Sequence, residues 1–166
     1  MVEPWLRGTL AEVDTMRRQV LHALEQAEED VERWCAGLSD GEVNARPFNL
    51  APVAFHLRHI ARSLDRLLTY VEGRLLSGAQ MDDLNSELAE GAFTEQVLAE
   101  FRAALGEARR RMLHIPHADY EQPRGVGRAM LPSTVGGLLV HCAEHTQRHV
   151  GQAITTAKVV LGARKE

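Results

Sequence analysis

The sequence predicts an all-α fold, an antiparallel four-helix bundle with a long loop before the last helix, on three observations. Four long segments repeat apolar residues every three or four positions. No stretch alternates apolar and polar residues in the way a half-buried strand requires. The chain has 166 residues, 45% hydrophobic and 25% charged, which fits one domain over residues 1–166 with a conventional core.

The first helix is expected over Thr9 to Ala36, because Thr9-Leu10-Ala11-Glu12 has a capping-box pattern. Leu10, Val13, Val20, Leu24, Ala27, Val31 and Trp34 form its apolar face. Asn49 is the expected cap of the second helix, which tolerates Pro52 in its first turn and runs to Val71 before Gly73. Residues 74 to 92 are mixed, with a short helix over Met81 to Ala89 the most that the pattern supports. Thr94 is read as the cap of a third helix ending near Leu113. The stretch from His114 to Pro132 holds three prolines and two glycines and reads as a long connection. Ser133-Thr134 then caps a fourth helix that reaches Leu161 and stops at Gly162, with Gly136-Gly137 marking a close approach in its first turn. The unequal connections leave simple up-down and crossover wiring both open.

Nineteen Lys and Arg against twenty-three Asp and Glu give a net charge of −4, so there is no general positive field for nucleic acid. Cys35 and Cys142 form neither a CxxC pair nor a disulfide framework. The N-terminal residues lack a basic segment followed by an apolar one, and no apolar run is long enough to span a bilayer. The expectation is a cytoplasmic protein with a small-molecule partner and neither nucleic-acid nor membrane partners. A homodimer is compatible with an acidic bundle of this size. Phosphate-loop, serine-elbow and basic-aromatic patterns are missing from the sequence, which disfavours nucleotide hydrolysis, serine hydrolase chemistry and RNA binding.

The unusual feature is histidine, with eight residues in the chain. His141, His145 and His149 recur every fourth position on the fourth helix. At about 100° per residue they fall within about 40° of His145, on one stripe shared by Leu138 and Gln152. The surrounding apolar pattern turns that stripe toward the bundle interior. A buried imidazole needs partners at both ring nitrogens, so three on one inner face are costly without a common ligand. A cation accounts for them. Neighbours four apart lie about 6 Å apart along the axis and can share an ion, but three span about 12 Å, so another helix must contribute. His56 and His59 on the second helix are the candidates, three apart and close on one face.

Glu144-His145-Thr146-Gln147-Arg148-His149-Val150-Gly151-Gln152 resembles the His-x-x-x-His-x-Gly-Gln signature of the DinB/YfiT-like metal-binding proteins. Phe55-His56-Leu57-Arg58-His59-Ile60-Ala61 resembles that family's second-helix segment. The resemblance implies a four-helix bundle holding a divalent ion through one His of the second helix and two of the last. Carried over by position, these are His59, His145 and His149, with His59 preferred because His59-Ile60-Ala61 matches the family's His-aliphatic-small text. His56 and His141 are extra to the signature, as replacement or supporting groups. Glu144, Asp65 and Gln152 are the partners considered for the ligands' other ring nitrogens.

Three imidazoles leave a coordination position open on Zn²⁺ or Ni²⁺, the usual arrangement in catalytic sites. The resemblance includes bacterial low-molecular-weight-thiol S-transferases and a thiol-dependent isomerase. It therefore implies a metal-dependent transferase acting with a thiol cofactor. A metal-dependent hydrolase and a non-catalytic, stress-related metal-binding protein are the alternatives. Arg58, Arg62, Arg124 and Arg128 are cations that an acidic thiol could meet, although each reads first as a surface residue. Cys142 reads as a buried core thiol, Tyr120 as a loop residue near an entrance, and Trp5 and Trp34 as packing anchors near the bundle ends.

Overall fold

The computed structural model describes residues 2–89 and 91–165. Four long helices, α1 (Thr15–Cys35), α3 (Val53–Val71), α5 (Thr94–Leu113) and α6 (Val135–Gly162), build the bundle. Two short helices, α2 (Asp40–Val43) and α4 (Gly78–Asn85), lie in the connections, and β1 (Pro123–Val126) pairs antiparallel with β2 (Leu131–Thr134). Leu24, Leu57, Ile60, Leu64, Leu68, Phe101, Leu105, Met112 and Leu139 are the large, fully buried side chains at the centre. No helix among the described residues is long and apolar enough to cross a membrane.

The wiring is a crossover. Gln147 donates to the Ala23 carbonyl at 2.7 Å, and the Lys158 ammonium lies 4.3 Å from the Trp34 ring centre, so α6 runs parallel to α1. Arg17 reaches the Leu113 carbonyl at one end of α1 and Glu32 pairs with Arg102 at the other, so α5 runs antiparallel to α1. Thr156 donates to the Ala51 carbonyl at 3.1 Å while His145 meets His59, so α3 and α6 are antiparallel. Arg62–Glu100 and Arg111–Glu72 make α3 parallel to α5. The long connection between α3 and α5 must therefore travel back along the bundle. That return carries α4 across the face of α3.

Local chemistry explains where the observed elements differ from expectation. The first helix begins at Thr15, not Thr9. Leu10 sits at φ 57°, a left-handed conformation that interrupts a helix, and the Asp14 side chain caps the amide of Arg17 instead. Asn49 does not cap α3; it lies at φ 61° in a 3₁₀ turn, and the helix starts after Pro52. Thr94 is the first helical residue of α5, with Phe93 at the cap position, and the Thr94 amide donates to Asp40 at 2.8 Å. The short helix of the 74–92 stretch is Gly78–Asn85, started by a Ser77–Gln80 capping box. A second capping box, Ser39–Glu42, forms α2, which the turn-rich text of that stretch concealed. The β1–β2 hairpin occupies the 114–132 connection, where four-residue strands and the intervening Gly127 left no readable alternation.

Thr134 does cap α6, accepting from the Gly137 amide at 3.0 Å. Gly136 marks the close approach that its composition suggested. A Cβ there would lie 3.2 Å from Met16, from the Tyr120 side chain and from the Tyr120 carbonyl. Trp34 is a partly buried anchor, whereas Trp5 is 55% exposed and anchors nothing in the core.

Candidate metal centre

The antiparallel packing of α3 on α6 brings the second turn of α3 against the middle of α6. His59 from α3 and His145 and His149 from α6 each present one potential ligand atom, and these three atoms all lie within 4.8 Å of one another. His59 Nε2 is 3.0 Å from His145 Nε2. The ring centres are 4.4 Å apart for His59–His149, 4.6 Å for His145–His149 and 4.9 Å for His59–His145. All three are half-buried, so the cluster sits at the edge of the core. Phe55 stacks on His59 at 5.4 Å and meets His149 edge-on at 6.4 Å, closing one side.

Electrostatics favour the neutral form of the two α6 rings, His145 and His149. Burial is the larger cause and neighbouring imidazoles the smaller one; together they push His145 and His149 down to about 4 from an ordinary 6.5. His56 is pushed down to about 4 in the same way. A neutral imidazole retains a lone pair for a cation.

The two extra histidines separate. His56 is buried, at 4% exposure, and its Nδ1 lies 3.1 Å from His149 Nδ1. His141 is exposed and pairs with Glu144 at 3.1 Å. The three partners considered for the ligand rings all lie elsewhere. Glu144 pairs with Arg148 and His141, Asp65 with Arg111 and Gln80, and Gln152 is exposed on a cleft.

Sequence reasoning missed the residue that does meet one of the candidate ligand rings. Glu87, in the connection after α4, places Oε2 2.6 Å from His59 Nδ1 and is only 5% exposed. Its other oxygen lies 2.8 Å from Arg66 Nη1, close enough for an ion pair although not aligned as a hydrogen bond. No periodicity marks Glu87, but the arginines facing its connection are spaced four apart. Arg58 donates to the Ala89 carbonyl, Arg62 to the Asp83 carbonyl and Ser86, and Arg66 meets Glu87. That row on α3 was the available signal for a chain segment crossing there.

Two clefts flank the histidines. One, of about 480 Å³, is lined by Asn44, Arg46, Phe55 and Glu87; the other, of about 330 Å³, by His56, Arg148, Gln152 and Thr155. A larger groove between α1 and α5 is lined by none of the histidines of α3 or α6. Cys142 is a fully buried core thiol, its pKa pushed up to about 12 by burial. Tyr120 ties its loop to α1 by donating to Asp14 at 2.6 Å. Arg124 donates to the Val71 carbonyl.

A DinB superfamily model matches residues 23–153, which include both histidine segments, and the chain belongs to that superfamily. No curated protein matches it. Among solved structures, a conserved protein from Enterococcus faecalis superposes with a TM-score of 0.74, covering 90% of this chain and 99% of that one at 16% identity. At that identity the likeness establishes the fold alone. The chain is thus a DinB-superfamily helical bundle with a three-histidine cluster that could hold a metal ion.

Proposed function

We propose that this chain is a metal-dependent transferase that joins a low-molecular-weight thiol to a small-molecule electrophile, with His59, His145 and His149 holding one Zn²⁺ or Ni²⁺. The observation that carries the reading is the convergence of three potential ligand atoms within 4.8 Å, from two helices; burial also lowers the pKa of the two α6 rings. Zn–N bonds of about 2.0–2.1 Å in a tetrahedral site put neighbouring nitrogens about 3.3 Å apart. The 3.0 Å separation of His59 Nε2 and His145 Nε2 lies close to that spacing. The donor set therefore fits a borderline divalent ion.

When bound there, such an ion supplies Lewis acidity, which favours the nucleophilic thiolate form of a thiol brought to an open position. The chain's own residues do the rest. His59, His145 and His149 present converging ring nitrogens, Phe55 keeps water from one face of His59, and the flanking clefts give thiol and electrophile separate approaches. Arg46 and Arg148, one in each cleft, can meet acidic groups on either reactant. Cys35 and Cys142 are free and buried, in keeping with a reducing, cytoplasmic setting.

The test is elemental analysis of untagged protein prepared without chelators, joined to a screen of thiols against electrophiles. One divalent ion per chain and a turnover that needs both ion and thiol are the expected results. Ion-dependent hydrolysis without thiol would select the hydrolase reading. Ion uptake with no turnover, and unfolding on chelation, would select a non-catalytic metal-binding protein.

A further inference from the structure

Resting on the metal-site reading above, we propose that Glu87 is the positioning residue of the centre, fixing the ring of His59 and tying ion binding to the seating of the connection after α4. The evidence is geometric. His59 has two ring nitrogens with different neighbours: Nε2 faces His145 at 3.0 Å, and Nδ1 faces the Glu87 carboxylate at 2.6 Å. A carboxylate oxygen accepts, so the proton of the neutral ring belongs on Nδ1 and the lone pair on Nε2. That is the tautomer in which Nε2 can bind an ion. The carboxylate also opposes rotation of the ring, and a bonded Nδ1–H makes Nε2 more basic.

Glu87 is itself held. Its second oxygen lies against Arg66 from the same helix as His59, and Arg66 Nη2 donates to Ser63 at 3.0 Å. Ser63 Oγ is 3.5 Å from His59 Nε2, so the ring, the serine, the arginine and the carboxylate form one closed group. Arg58 and Arg62 fasten the same connection on either side of Glu87, at the Ala89 and Asp83 carbonyls. A carboxylate buried to this degree, reached from a connection and aimed at a ring nitrogen, is more than a surface ion pair. Anything that displaces the 86–89 stretch removes the acceptor from His59.

The experiment titrates apo protein with Zn²⁺ against a chromophoric chelator, for the wild type and for Glu87→Ala and Glu87→Gln. The wild type is expected to take one ion. Glu87→Ala should bind it about 10- to 100-fold more weakly. Glu87→Gln, which keeps an amide oxygen to accept from Nδ1–H, should recover most of that loss. Long-range ¹H–¹⁵N spectra of zinc-loaded wild type should place the His59 proton on Nδ1, a readout that does not depend on any variant folding. A folded Glu87→Ala that binds zinc as tightly as the wild type would overturn the positioning role and leave the site intact, whereas a proton on Nε2 would overturn the positioning role and remove that nitrogen from the donor set. A wild type that takes up no zinc would instead overturn the metal-site reading, and the positioning role with it.

Discussion

His59 and Glu87 lie 28 residues apart, yet Nδ1 of one and Oε2 of the other are 2.6 Å apart at the edge of the core. The contact crosses from α3 to the connection that brings the chain back along the bundle before α5. Crossover wiring and the chemistry of the histidine cluster are therefore linked: without a returning connection, nothing would face the outer nitrogen of His59.

The histidines should divide into two groups by metal content. His59→Ala, His145→Ala and His149→Ala are each expected to lose nearly all stoichiometric zinc, measured by elemental analysis after dialysis. His22→Ala, His114→Ala and His117→Ala should keep it, because His22 contacts Thr9, His114 contacts the Arg110 carbonyl, and His117 lies in a 3₁₀ turn. Equal metal in all six variants would contradict the assignment.

Two glycines of α6 should respond in opposite directions to alanine. At Gly136 a methyl group would press on the Tyr120 carbonyl and side chain and on Met16 at 3.2 Å. The Gly136 amide already donates to that carbonyl at 2.9 Å, so the neighbour cannot withdraw. Gly136→Ala should cost about 1–3 kcal/mol in denaturant unfolding. Gly162 has open space around it at the helix end, so Gly162→Ala should be neutral or stabilising by up to about 1 kcal/mol.

Acid should weaken the joint between α1 and the loop before β1. Burial raises the Asp14 pKa, but hydrogen bonds from Tyr120 and Arg17 outweigh it and hold the carboxyl at about 2, below its ordinary 3.8. A depressed carboxylate pKa adds stability that is fully present above the unfolded value and lost as pH falls toward the folded one. Asp14→Asn should therefore be less stable than wild type at pH 6, by about 1 kcal/mol after allowance for solvent screening. The gap should close between about pH 4 and pH 2. Urea titrations at pH 6 and pH 2.5 check this; a gap independent of pH would refute the linkage.

The bundle was legible because amphipathic helices announce themselves. Leu57, Ile60, Leu64, Leu68 and Val71 recur at helical spacing and are all buried. His145 and His149 were legible for a related reason, since spacing of four on one helix fixes a stripe whatever the packing, whereas His59 was preferred to His56 only through the family resemblance. Helix starts were less legible, because Thr9 and Asp14 both offer capping chemistry and only the left-handed Leu10 decides between them. Glu87 was hidden, because a lone carboxylate in a mixed connection has no period. Its role depends on a long-range return of the chain, which local sequence does not encode. His56 was ambiguous for a similar reason: only the rotation of α3 against α6 shows its Nδ1 facing His149 Nδ1.

X-ray absorption at the metal edge of the zinc- or nickel-loaded wild-type chain tests the central claim most directly. One ion per chain, surrounded by three imidazole nitrogens and completed by oxygen or nitrogen donors, is the predicted spectrum. A first shell with fewer than two imidazoles, or one built on sulfur from Cys142, would contradict it.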